Sequence, residues 1–154
     1  MTEYDKELIE QLNVLGKDII AIEIDAADRY FELLNIRFPI AGTKINWDGF
    51  SSDCKKTAIY SEQTDFSDFI ANIQNSCNCW KNDEEDIIYI GDSLTENAYK
   101  LFFSDLISFF NLINEIPQHH YFLNENGDWC LCLDTSNYLD FSFAPENKHS
   151  YNSL

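Results

Sequence analysis

Three short apolar runs close this chain, and they constrain its fold more than any other feature. His119 to Leu123, Trp129 to Leu133 and Tyr138 to Phe143 are each of strand length and rich in aromatic and aliphatic side chains. The links between them, Asn124-Glu125-Asn126-Gly127-Asp128 and Thr135-Ser136-Asn137, consist of turn-forming residues. Links this short join antiparallel neighbours, so the pattern predicts an antiparallel meander. Within the middle run, alternation puts Cys130 and Cys132 on one face and Trp129, Leu131 and Leu133 on the other. Thiols so placed read as small buried hydrophobes. Their single-residue spacing is shorter than the roughly two to four residues between paired cysteines of a structural zinc site. His119 and His120 are adjacent on a strand and point to opposite faces, which weakens them as partners of a catalytic thiol.

Upstream, a second signal predicts a long helix. Ser93 and Glu96 have the S-x-x-E spacing of a capping box. After them Asn97, Lys100, Ser104, Ser108, Asn111 and Glu115 trace one narrow polar stripe, and Pro117 ends the segment. A helix apolar around most of its circumference is a buried, central one. The functional alternative, a lipid or cofactor groove lined by Phe102, Phe103, Phe109 and Phe110, lacks polar groups converging on the rings. Nearer the N-terminus, Thr2 caps a helix bearing Tyr4, Leu8, Leu12 and Leu15, and Gly16 stops it. Asp18 to Ile24 reads as a strand. Asp25 then caps a helix from about Ala26 to Leu34. Residues 40 to 56 look irregular around Ile45 and Trp47, and Thr57 to Tyr60 is a short strand. Thr64 or Asp65 caps a helix carrying Phe66, Phe69, Ile70 and Ile73. Residues 80 to 86 form a charged loop, and Asp86 to Ile90 is a strand that stops at Gly91. The whole predicts one domain over residues 1–144 with a polar, frayed tail over 145–154. Its class is α+β: helices packed on one face of a mostly antiparallel sheet, with the C-terminal three-stranded meander.

The chain has 27 Asp+Glu against 10 Lys+Arg in 154 residues, a net charge of -17. Hydrophobic residues make up 45%, enough for a packed core, so the acidity is not that of a disordered tail. Like charge disfavours nucleic acid and anionic membranes as partners. No apolar run reaches the ~18 residues of a membrane span. The acidic start, Met1-Thr2-Glu3-Tyr4-Asp5, is unlike a signal peptide. With five cysteines, an odd number, this predicts reduced thiols in a cytoplasm. The charge is uneven: residues 1–56 hold -4, residues 57–147 hold -14 and residues 148–154 hold +1. A charge run is commonly just a solvated face. It also makes a landing site for an oppositely charged protein. On that reading the candidate partner-binding residues are Trp80, as aromatic anchor, with Asp83, Glu84, Glu85, Asp86, Asp92 and Glu96. Trp47 and Trp129 read as core. No calcium-loop spacing, phosphate-cradling glycine loop, nucleophile elbow or dinucleotide fingerprint is present, so no catalytic residue, metal or cofactor is predicted.

From residue 86 to 144 the chain resembles a known family. The long apolar segment runs into Ile116-Pro117-Gln118-His119-His120-Tyr121-Phe122, followed by Asp128-Trp129-Cys130 and Leu139-Asp140-Phe141. This is similar to immunity proteins of bacterial polymorphic toxin systems, including contact-dependent growth inhibition. The resemblance implies a cytoplasmic antidote, not an enzyme, that binds a cognate toxin domain and blocks or distorts its active site. Many such toxins are nucleases with basic clefts that suit an acidic inhibitor. Two other expectations stand beside it: a small acidic hydrolase using carboxylates or a Cys/His pair, and an adaptor module.

Overall fold

The computed structural model describes residues 1–16 and 21–146. The predicted tail beyond Glu146 and the predicted strand residues Asp18 to Ile20 lie outside the described residues. The helices are α1 (Glu3–Val14), α2 (Ala27–Arg37), α3 (Gln63–Cys77) and α4 (Leu106–Ile113). The strands are β1 (Ala21–Glu23), β2 (Ile40–Ala41), β3 (Lys44–Ile45), β4 (Lys55–Ile59), β5 (Asp86–Gly91), β6 (Ala98–Phe102), β7 (His120–Leu123), β8 (Trp129–Leu133) and β9 (Tyr138–Phe143). Seven strands form one sheet in the order β1-β6-β5-β7-β8-β9-β4, and β2 pairs only with β3. Every neighbouring pair in the large sheet is antiparallel. The fold is therefore α+β with the C-terminal meander where the turn residues put it. Gly127 supplies the left-handed position of the first link at φ +67°.

The period of two along the central strands sorts two cores. Ile87, Tyr89, Phe122, Leu131 and Phe141 face one side, where Leu8 and Leu12 of α1, Phe66, Phe69, Ile70 and Ile73 of α3, and Phe109 and Phe110 of α4 cover them. Ile88, Ile90, Tyr121, Cys130 and Cys132 face the other, under Tyr30 and Leu34 of α2 and the loop carrying Trp47 and Phe50. Three helices thus share one face, and α2 covers the second.

The long helix after Ser93 is not formed. Its first part is β6, inserted between β1 and β5. Ala98-Tyr99-Lys100-Leu101-Phe102 also alternates, with Tyr99 and Leu101 in the first core and Ala98 in the second. A short apolar run fits both periods, and pairing on both edges decides for the strand. Nor does Ser93 cap a helix. The Gln118 side-chain oxygen accepts the N–H groups of Ser93, Leu94 and Thr95. Gln118 packs so tightly on β5 that a Cβ at Gly91 would stand 2.1 Å from its amide nitrogen. Asp25 is no N-cap either: it sits at φ +55°, and Ala26 precedes α2 without a side-chain cap. For α3 the capping box is Glu62 with Asp65, not Thr64. Thr2 does cap α1, in a reciprocal box with Asp5.

Cys54 and Cys77 are not reduced thiols: they form a disulfide with Cα atoms 5.5 Å apart. It fastens the start of β4 to the end of α3. Closing a loop of 23 residues contributes about 3 kcal/mol in chain-entropy terms.

Candidate functional site

The predicted anchor, Trp80, is not on the surface. It is 1% exposed and belongs to the first core. Asn78 and Trp80 both adopt left-handed backbone, at φ +55° and +57°, and reverse the chain after α3. The indole packs edge-on against Trp129 at 5.1 Å and Phe141 at 5.3 Å, and stacks on Phe103 at 5.4 Å. Removing a large ring from water outweighs the ~1–2 kcal/mol of a non-glycine left-handed residue. A tryptophan beside four acids reads as solvent-facing only while the backbone reversal is unseen.

The six predicted carboxylates do not form one patch. Asp83 and Glu84 are exposed on the loop before β5, and Glu85 is half-buried, its carboxyl pushed up by that burial. Asp86 opens β5 and lies 3.5 Å from Lys100 Nζ, which is equally close to Glu125. Asp92 follows the other end of β5, roughly 17 Å away at ~3.4 Å per residue. It accepts the His119 N–H at 2.9 Å and the Thr43 hydroxyl at 3.1 Å. Glu96 is exposed and 3.3 Å from the Met1 amine.

Asp92 instead joins two acids that the sequence reading missed. A cleft of about 460 Å³ opens on the second face, between α2, the β2–β3 hairpin and the end of β5. Asp28, Glu32 and Asp92 contribute carboxylates, Phe31 and Ile40 contribute apolar surface, and among the described residues no Lys or Arg lines it. Asp28 and Glu32 are one helical turn apart on α2 and so share a face. Their neighbour Arg29 is drawn away to Glu23. The hairpin that walls the cleft is pinned twice: Tyr121 donates to the Thr43 carbonyl at 2.8 Å, and Lys44 pairs with the buried Asp134. Phe31 is fixed by an edge contact with Tyr121 at 5.6 Å. The i,i+4 spacing of Asp28 and Glu32 was readable in sequence. Their meeting with Asp92 depends on where the sheet carries β5.

The positive charge is largely spoken for. Lys6, Arg29, Arg37, Lys44 and Lys100 all sit in ion pairs with carboxylates. Lys55 donates to the Phe50 carbonyl and lies over that ring. The excess carboxylates therefore face solvent with little local compensation.

His120 faces the first core, while Cys130 and Cys132 face the second, so no Cys–His pair forms between them. Burial pushes both thiols well above their ordinary range. Both His120 ring nitrogens are used: Tyr89 OH lies 2.7 Å from Nδ1, and Nε2 is 2.9 Å from the Ile116 carbonyl. Nε2 must donate to that carbonyl, and Tyr89 OH, which already accepts from Gln118 Nε2, has its own proton to give to Nδ1, which suits the neutral ring that burial favours. Burial lowers its pKa from 6.5 to about 4. The folded state thus resists the proton that the unfolded chain takes up below 6.5. Stability is full above that value and is lost as pH falls toward 4, by about 3 kcal/mol from this ring. Urea unfolding at pH 7 and pH 4 is expected to show that loss, with a shallower slope in His120→Asn.

Among the described residues no group of three or more His, Cys, Asp or Glu side chains is placed to hold a metal ion. No helix there is long and apolar enough to cross a membrane. Fold and surface together define an α+β domain with an acidic, partly apolar cleft over an open antiparallel sheet. Comparison with protein-family models, with curated proteins and with solved structures gives no match.

Proposed function

We propose that this chain is an immunity protein, which binds and neutralises a basic toxin domain, of nuclease type, in the cytoplasm. The observation that carries the reading is the uncompensated acidity, gathered at one place into the cleft of Asp28, Glu32 and Asp92. A cationic side chain entering it meets three carboxylates at the rim and the ring of Phe31 below. Neutralisation of this kind asks no chemistry of the inhibitor. A cytoplasmic setting keeps protein thiols reduced, so the reading requires the fold to persist with Cys54 and Cys77 unbonded.

The direct test is co-expression with the toxin domain of a large secreted protein encoded beside this gene. Cells are expected to survive; their death would end the proposal. The cleft is tested by kinetics. Asp83→Lys with Glu84→Lys alters only the long-range field, and is expected to slow association severalfold at low salt. Asp28→Lys with Glu32→Lys is expected to slow association as well, and to speed dissociation at least tenfold, because contact charges act on the bound state. Equal dissociation rates for the two variants would remove the cleft from the interface.

A further inference from the structure

We infer that β4 is a strand-addition site for an extended segment of the basic protein partner, a segment that alternates cationic and apolar residues. This rests on the proposed function only for the sign of the partner's charge. The backbone parity of β4 follows from its neighbours. Tyr60 N–H donates to the Asn137 carbonyl at 2.8 Å, one step beyond the Ile59↔Tyr138 pair. Hydrogen-bonded pairs alternate along an antiparallel ladder, so Ala58 and Lys56 also bond β9. On the far side of β9, Asp134 N–H donates to the Tyr138 carbonyl, as that alternation requires. The amides and carbonyls of Lys55, Thr57 and Ile59 therefore point outward from the sheet, where no described strand pairs with them.

Free edges are usually blunted by charge. Here Lys55 and Lys56 occupy only the end next to the disulfide. Thr57-Ala58-Ile59 is uncharged, and Ile59 (65% exposed) lies beside its cross-strand partner Tyr138 (48%). On the opposite side of the strand a groove of about 230 Å³ separates β4 from α3, with Ala58 and Phe69 against Asp65 and Asp68, and Lys56 on the same strand face as Ala58. Asp65 holds one end of this groove by accepting the N–H groups of Ser61 and Glu62, and it does so whether or not Cys54 and Cys77 are bonded. A wall fixed in this way loses little freedom on binding.

Charge selects the occupant. Two carboxylates, Asp65 and Asp68, line the groove against the single Lys56, and from Thr57 to Trp80 the chain adds Glu62 and no base, so the excess is negative. An added strand turns alternate side chains to opposite faces. Lysine or arginine stems would lie along Ala58 and Phe69 with their charges at Asp65 and Asp68. The intervening apolar residues would meet Ile59 and Tyr138. A second copy of this chain would instead bring two charges of -17 together.

The test uses the full chain and a capped seven-residue peptide of alternating lysine and valine, followed by amide NMR. Saturable binding is expected, with the amides of Lys55, Thr57 and Ile59 becoming protected from exchange. Thr57→Pro removes an outward N–H and keeps the backbone bonds to β9, and is expected to weaken binding about tenfold or more, whereas Thr57→Val, which loses only the side-chain bond to Asp140, is expected to bind like the wild type. The wild-type chain with a peptide N-methylated at alternate residues, which keeps the charge, is expected to lose binding similarly. Equal binding by the methylated peptide and by Thr57→Pro would overturn the strand addition while leaving a basic partner in place. No binding by any form would overturn the strand addition, and survival in co-expression would then show that the immunity reading stands without it. Dimerisation of the chain alone, abolished by Thr57→Pro, would assign the edge to a second copy and overturn the inference.

Discussion

Trp80→Ala is expected to lower the unfolding free energy by about 3–5 kcal/mol, read as a shift in the urea midpoint. The rate at which the folded fraction meets a basic partner should not change. The indole fills the space between Phe103, Trp129 and Phe141, beneath the meander and beside the disulfide-bonded end of α3. Truncation leaves a cavity that these three large rings line, and a rigid sheet collapses into it poorly. Natural domains are stable by only about 5–15 kcal/mol, so the variant is close to unfolding at body temperature. Trp80→Phe should cost much less, because the indole N–H has no hydrogen-bond partner to lose. A loss of partner binding with unchanged stability would instead return Trp80 to the interface.

Asp5→Ala is expected to be comparably severe, at least about 3 kcal/mol. Asp5 is fully buried, and its carboxylate accepts from Thr2 N–H, Glu96 N–H, Asn97 N–H and Tyr99 OH. It therefore ties the first turn of α1 to the segment entering β6, more than ninety residues away. Alanine strands two buried donors, the Asn97 N–H and the Tyr99 OH, and each costs about 1–3 kcal/mol less any relaxation, with a smaller loss at the part-buried Thr2 and Glu96 N–H groups. Burial opposes the charge on Asp5, but the donors from Glu96, Tyr99, Thr2 and Asn97 prevail and hold its carboxyl below the ordinary range. Its contribution is present above the unfolded value of 3.8 and is lost as pH falls below it. Acid unfolding should thus show two windows, His120 between about 6.5 and 4 and Asp5 beneath that. Asp5→Ala should shrink the lower window, to which Asp134, held below its ordinary range by Lys44, also contributes, and leave the upper one unchanged.

Both residues bear on how far a sequence can be read. Thr2 is legible as the cap of α1, and so it proves; that Asp5 completes a reciprocal box with it is seen in the structure. The larger role of Asp5, as acceptor for residues 96 to 99, requires knowing that this segment passes over the N-terminus of α1. The same segment misled the periodicity. Asn97, Lys100 and Ser104 fall at helical spacing, yet Ala98 to Phe102 is a strand, because β5 offers it an edge on one side and β1 on the other. Local spacing carries no information about which edges await pairing.

By itself the sequence determined the meander, since the link lengths and turn residues between His119 and Phe143 leave only antiparallel neighbours. It determined the opposite facing of Cys130 and Leu131, the cap of α1, the buried Leu8 and Leu12 of α1 and the buried stripe of α3, and a net charge of -17. All of these depend on residues within a few positions of one another. Tertiary structure alone decided that Trp80 is core, that Cys54 meets Cys77, and that Asp92 stands with Asp28 and Glu32 rather than with Asp83 to Asp86. Each of those depends on a backbone reversal or on the rigid length of β5, which separates residues close in sequence and joins residues far apart.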